Sequence, residues 1–466
     1  MLNRLFKLAE NRTTVPREVA AGLTTFAAMA YILAVNPAIL MNGFGADPAI
    51  GSDPAAASYV AVKGALLSAT AVTAALGTLL MAFLANYPLA LAPGMGINAF
   101  FAFSICLGAG VPWQQALGMV FVNGIIFLAL SVTGVREKII KCIPYALKIA
   151  ITCGIGVFIA FIGLKNAGIV TAHPATLVAP GDFSSPPVAL ALAGIILLAA
   201  LVARRVPGAI LLGIGLITLA GLFVPNGQGG TVTARPESLA ALVSAPPSLA
   251  PVFLQLDLSF LTEYGALLKA LPFILALLLV DMFDNIGTLI GVTKRAGFLD
   301  KDGHLPRAGR ALLADSLAAI GSSLFGTSTV VSYIESASGV EAGGRTGLVG
   351  VTVAVLMLLA LFLAPLILLV PAAATAPVLI IVGVFMIQSI TEIDMSEFRV
   401  AVPAALIIIG IPLTFSIAEG IGFGLISAAL LALLTGKPRS LPLFGYAVAA
   451  VFFLSFFKIF PFHASH

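Results

Sequence analysis

Three carboxylates and one amide stand in stretches that otherwise read as hydrocarbon. Asp281 and Asp284 interrupt VDMFDNIGTLIGV (280–292), Glu335 sits in VVSYIESASGV (330–340), and Asn98 in ALAPGMGINAFFAF (90–103). An ionised carboxylate at the centre of a membrane helix costs about 2.5–3.5 kcal/mol on insertion scales, so such groups must face protein or water. Asp281 and Asp284 are three residues apart, a spacing that predicts one shared helix face. Two acids that close resist joint ionisation, which suits a group that takes up and releases a proton. The bland reading is that the acids pair structurally or hold helix ends. It weighs most for Asp315, near the cytoplasmic end of its span, and least for Glu335, which has no lysine or arginine close in sequence.

The elements that must position these residues follow from composition. Of 466 residues, 60% are hydrophobic and 9% charged, far below the roughly 25% charged residues of soluble domains. Apolar runs fall near 18–41, 61–86, 89–107, 112–133, 145–164, 187–203 and 208–224. After a Pro- and Gly-rich break at 225–262 they resume near 267–292, 310–326, 330–341, 346–370, 377–391, 399–417 and 420–436. Seven runs, a break and seven more predict an all-α polytopic membrane protein of about 14 transmembrane segments in two repeats. An odd number per repeat inverts the second relative to the first. The stretch 441–461 reads as an extra span or an interfacial helix. Basic clusters (Arg4, Lys7, Arg12, Arg17; Arg136, Lys138, Lys141; Arg204, Arg205; Lys294, Arg295, Lys301, Arg307, Arg310) fall on one side if residues 1–17 are cytoplasmic, in a cell (inner) membrane.

The third run of each half is irregular. Pro93, Gly94 and Gly96 precede an aromatic tract in the first; Gly326 and a Ser/Thr run precede a β-branched tract in the second. Each reads as a short extended stretch joined to a half-helix, and irregular backbone at membrane depth is tolerated only around protein or a wet cavity. Broken segments in matching places of two repeats point to a transporter's binding site, with half-helix N–H groups expected to face a polar ligand.

Several chemistries are excluded. GGRTG (343–347) lacks the lysine of a phosphate-binding loop, so ATP-driven transport has no support. Cys106, Cys142 and Cys153 lack metal or redox spacing, and no histidine (His173, His304, His463, His466) falls inside an apolar run, so neither a metal nor a cofactor is expected. The net charge of +4 gives no sign of nucleic acid. An intramembrane aspartyl protease needs its two aspartates on facing helices, whereas these share one helix, so the chain is read as no enzyme.

Four segments carry a resemblance: PREVAAGLTTFAAMAYILAVNPAIL (16–40), ALAPGMGINAFFAF (90–103), VDMFDNIGTLIGV (280–292) and GTSTVVSYIESASGVEAGGRTGL (326–348). They resemble the signature segments of the nucleobase:cation symporters, in the AzgA-like branch of adenine/guanine/hypoxanthine permeases, across about residues 3–436. The resemblance implies a core domain from segments 1–4 (18–133) and 8–11 (267–370). It also implies a gate domain from segments 5–7 (145–224) and 12–14 (377–436), with short strands in segments 3 and 10 that pair at the midplane. By motif, Asn98, Asp281, Asp284 and Glu335 are the implied purine contacts. Phe100 or Phe101 either stacks on the ring or packs as core. Asp284 is the first choice for proton coupling, with Asp281 and Glu335 as the other candidates. A purine edge offers N–H donors and ring acceptors that match carboxylates and an amide.

The expectation is import of purine nucleobases (hypoxanthine, guanine or adenine) by proton symport with alternating access. The partners are the purine, a proton and the bilayer, with a homodimer left open. An anion transporter or channel of the same general fold is the alternative, and intramembrane acids point away from anions. Preferred purine, sodium against proton coupling, and the division of labour between Asp281 and Asp284 stay open.

Overall fold

The structure, a computed structural model, describes residues 2–133, 144–227, 229–236, 238, 240–298 and 305–457. Of the residues weighed for topology or metal binding, Arg136, Lys138, Lys141, Cys142, Lys301, His304, His463 and His466 lie outside these, as do the side chains of Lys294 and Arg295.

Long apolar runs without water must satisfy every backbone group internally, and they do so as helices. Among the described residues nine helices are long and apolar enough to cross a membrane, among them Val15–Phe44, Ala57–Ala85, Trp113–Thr133 and Tyr145–Asn166. The helix carrying both aspartates, Tyr264–Arg295, is unbroken over 32 residues despite Pro272. Shorter apolar helices fill four further runs, Met95–Gly108, Ala209–Gly221, Phe398–Thr414 and Leu443–Phe456, and Ala308–Leu324 fills another. Leu443–Phe456 covers most of the C-terminal apolar stretch. Its 14 residues rise about 21 Å, short of a hydrocarbon core about 30 Å thick. It packs against Ile417–Leu434, where Phe423 and Phe456 stand 5.2 Å apart.

Among the described residues, four short strands interrupt the helices. β1 (Leu91–Pro93) and β4 (Val330–Ser332) pair antiparallel, with Leu91 opposite Ser332, Ala92 opposite Val331 and Pro93 opposite Val330. β2 (Val170–His173) and β3 (Leu177–Pro180) form an exposed hairpin between two spans, which the apolar pattern does not announce. β1 runs into the helix Met95–Ala99, whose ladder then loosens to π-type over Phe100–Gly108. β4 leads to the half-helix Ser336–Glu341.

Close helix approach fixes where this strand pair sits. A methyl group on Gly339 would lie 2.0 Å from Thr25 Oγ1 and 2.7 Å from the Ala21 carbonyl, so the half-helix rests directly on the first span. One on Gly77 would lie 3.0 Å from Ala318 and Val330, which brings the second span against β4. The absence of side chains at these positions is what lets backbones meet at this range.

Candidate functional site

The site is built on the β1–β4 crossing. The ladder runs on past both strand ends, where Gly94 N–H donates to the Thr329 carbonyl at 3.0 Å and Tyr333 N–H to the Ala90 carbonyl at 2.9 Å. The Tyr333 hydroxyl donates to the Pro93 carbonyl at 2.6 Å, and the Thr78 hydroxyl to that of Leu91 at 3.1 Å. Ser328 donates to Asn98 Oδ1, and Asn98 Nδ2 approaches the Pro93 carbonyl at 3.5 Å. Asn98 is fully buried, so its amide ties one broken segment to the other.

Three carboxylates surround this crossing unequally. A methyl group on Gly94 would lie 3.6 Å from Asp284 Oδ2, which sets that acid against the turn from β1 into its half-helix. Glu335 stands where β4 passes into Ser336–Glu341, a half-helix that packs against the Tyr264–Arg295 helix bearing Asp284. Both are partly exposed. Asp281 is fully buried and accepts from Asn123 Nδ2, on Trp113–Thr133, at 3.0 Å. The single shared face is therefore a simplification. Three residues at about 100° each leave the two side chains about 60° apart around the axis, enough to send one to the crossing and the other to the neighbouring span.

The N–H groups of the second half-helix also depart from expectation. In the turn entering Ser336–Glu341, Ser336, Ala337 and Ser338 donate to the carbonyls of Tyr333, Ile334 and Glu335 at 3.0–3.2 Å. Those donors are spent within the chain. Phe100 and Phe101 are fully buried, Phe101 stacked 6.0 Å from Phe44 and Phe100 6.4 Å from Phe273, so both pack as core.

Four residues at or behind the site escaped the sequence reading. Tyr31 donates to Glu335 Oε1 at 2.7 Å. Asn123 partners Asp281. Asn285 is fully buried, and among the described residues neither polar atom of its amide has a hydrogen-bond partner; an unmet group of this kind costs about 1–3 kcal/mol. Thr329 Oγ1 is likewise buried without a partner among the described residues. An asparagine or threonine inside an apolar run is the available signal, and Asn123 and Asn285 both carry it. Asp315 is buried on Ala308–Leu324 and receives a long bond, 3.5 Å, from Ser332 of β4.

Residues 16–423 match the Xan_ur_permease family, a permease family. The chain belongs to it. This permease is 43% identical to the guanine/hypoxanthine permease PbuG of Bacillus subtilis, over 98% of this chain and 99% of that one. To the adenine permease AdeP of Escherichia coli it is 41% identical, over 97% and 95%. Its fold is that of the transmembrane domain of a cyanobacterial bicarbonate transporter, BicA, with a TM-score of 0.58 at 18% identity over 88% of this chain and 96% of that one. The permease is thus a multi-pass membrane transporter and not an enzyme, in agreement with the resemblance read from its four motifs.

Proposed function

We propose that this permease imports purine nucleobases by proton symport, with alternating access between a core domain (18–133 and 267–370) and a gate domain (145–224 and 377–436). The observation that carries the reading is the pair of partly exposed acids, Asp284 and Glu335, at the crossing of two broken segments. Carboxylates accept from purine N–H groups, and two broken segments meeting at membrane depth mark where a transporter holds its ligand. Relatives named for guanine/hypoxanthine and for adenine transport support the substrate class.

Asp284 and Glu335 are the groups we assign to substrate. Asp284 is the first candidate for the coupled proton, because a second acid within electrostatic range favours one shared proton. Asn98 supports the site by joining the strands, and Asp281 acts from behind it through Asn123. Fourteen segments in two inverted repeats, residues 1–17 on the cytoplasmic side and an inner-membrane location complete the reading. Acids rather than cations at the crossing weigh against an anion substrate, although an anion transporter shares the fold.

Uptake of labelled hypoxanthine, guanine and adenine by cells lacking their own purine permeases tests the proposal. Uptake above the empty-vector control that collapses with a protonophore supports it. No uptake of any purine sinks it, and uptake indifferent to the proton gradient removes the coupling. Glu335→Gln is expected to impair uptake while leaving the amount of protein in the membrane unchanged.

A further inference from the structure

The first span bends where it passes the crossing. The helix Val15–Met29 ends, Ala30 and Tyr31 turn, and Ile32–Phe44 resumes, with the N–H groups of Ala34 and Val35 both bonded to the Tyr31 carbonyl at 3.0–3.1 Å. This bend directs the Tyr31 hydroxyl across to a residue 304 positions later, Glu335, whose Oε1 it meets at 2.7 Å. Tyr31 is 2% exposed, whereas Glu335 is partly exposed. The tyrosine therefore stands behind the carboxylate, where a ligand in the crossing touches the acid and not the phenol.

The contact is held from both ends. Gly339, one turn beyond Glu335, rests on Ala21 and Thr25 of the helix that leads into Tyr31. The Ser338 hydroxyl donates to the Glu335 carbonyl at 2.7 Å, bracing the backbone that carries the acid. A glutamate side chain has three rotatable bonds, and freezing them at the moment of binding lowers affinity. A phenol that already occupies one oxygen removes most of that cost and fixes the plane of the carboxylate. Tyr333, two residues before Glu335, cannot substitute, because its hydroxyl is committed to the Pro93 carbonyl.

We propose that Tyr31 is a positioning residue for Glu335, engaging Oε1 so that Oε2 is the oxygen presented to the purine. This rests on the purine reading of the site and adds to it a residue of the first span. Tyr31 acts only through Glu335, so its effect must vanish when the acid is moved out of reach.

The test is concentration-dependent uptake of hypoxanthine, guanine and adenine, normalised to protein in the membrane, for wild type, Tyr31→Phe, Glu335→Asp and the double variant. Phenylalanine keeps the ring, and aspartate keeps the charge but is one methylene too short to reach the hydroxyl. Tyr31→Phe is expected to raise KM about tenfold at nearly unchanged maximal rate, the factor set by about 1.4 kcal/mol of lost positioning. The double variant is expected to match Glu335→Asp alone. A wild-type KM in Tyr31→Phe overturns the proposal, as does a tenfold loss that persists on top of Glu335→Asp. Should Tyr31→Phe fail to accumulate, Glu335→Asp breaks the same contact from the other side and is expected to raise KM; a wild-type KM in Glu335→Asp overturns the proposal. Wild-type uptake with no Tyr31 effect defeats this inference alone, whereas absence of purine uptake by the wild type defeats both.

Discussion

The Asn123 amide donates to Asp281 Oδ2 at 3.0 Å, while Asp284, one turn along the same helix, faces Gly94 at the strand crossing. The two aspartates of one motif thus serve different neighbours. Asp281 joins the Trp113–Thr133 span to Tyr264–Arg295 from a fully buried position, and a buried acid deprived of a donor loses its compensation for desolvation.

Asn123→Ala and Asp281→Ala are each expected to lower the unfolding temperature of the purified permease. Their double variant should lose less than the two losses added, with a coupling of about 1–3 kcal/mol. Asp284→Ala is expected to abolish uptake with a much smaller thermal penalty. Equal thermal losses for Asp281→Ala and Asp284→Ala would argue that both acids are structural.

Gly339→Ala tests the close approach of the half-helix to the first span. The added methyl meets Thr25 Oγ1 and the Ala21 carbonyl, the latter an atom of backbone that cannot swing aside. Overpacking of this sort costs about 1–3 kcal/mol, visible as a lower melting temperature and reduced accumulation in membranes. Gly321→Ala, where the added methyl has open space, is the matched control and should leave both unchanged.

Glu18 is fully buried and accepts from the hydroxyls of Thr13 and Thr346, both at 2.7 Å, and from the N–H groups of Arg345 and Thr346 at 2.9 and 3.0 Å. It therefore fastens the N-terminal helix to the loop after Ser336–Glu341. Glu18→Ala is expected to destabilise by on the order of 3 kcal/mol, the scale of hydrogen bonds to a charged group, and limited proteolysis should then cut near 343–347 first. An unchanged melting temperature would contradict this fastening.

On the opposite side, Asp47 lies in the loop after Ile32–Phe44. The Ala49 N–H beside it, with the Trp113 indole and Gln114, holds its carboxyl below the usual carboxylate range. A depressed folded-state value stabilises above the unfolded value, near 3.9, and that stabilisation is lost as pH falls through the folded one. The melting-temperature gap between wild type and Asp47→Asn is therefore expected to be constant near neutrality and to close below about pH 4. A gap that does not narrow at all as pH falls below 4 would assign it to packing instead.

Much of the architecture was legible because hydrocarbon imposes long helices and tolerates few exceptions. Gly94 and Gly326 marked the broken segments, and Asp281, Asp284 and Glu335 stood out against apolar neighbours. Partnerships across the chain were not legible. Nothing local to Tyr31 announces Glu335, and a three-residue spacing could not say that Asp281 and Asp284 diverge. The extended stretches were legible from their Pro, Gly and β-branched residues, whereas their pairing came from the resemblance, since three residues give no periodicity to read. Phe100 and Phe101 were open between stacking and core packing in the sequence, and only the packing of Phe44 and Phe273 against them decides for core.

The pairing of β1 with β4 has a consequence for biogenesis. Pro93 emerges from the ribosome some 240 residues ahead of Tyr333, which caps it. For minutes or less, depending on the rate of synthesis, the first half of the chain sits in the bilayer with strand carbonyls and N–H groups that have no partner there. Such groups are not left facing lipid, so the nascent first half must shelter β1 among its own spans, under a chaperone or beside the insertion machinery until β4 arrives. Truncation after residue 262 should accordingly yield a protein that is inserted but rapidly degraded, while the two halves expressed together should rescue each other.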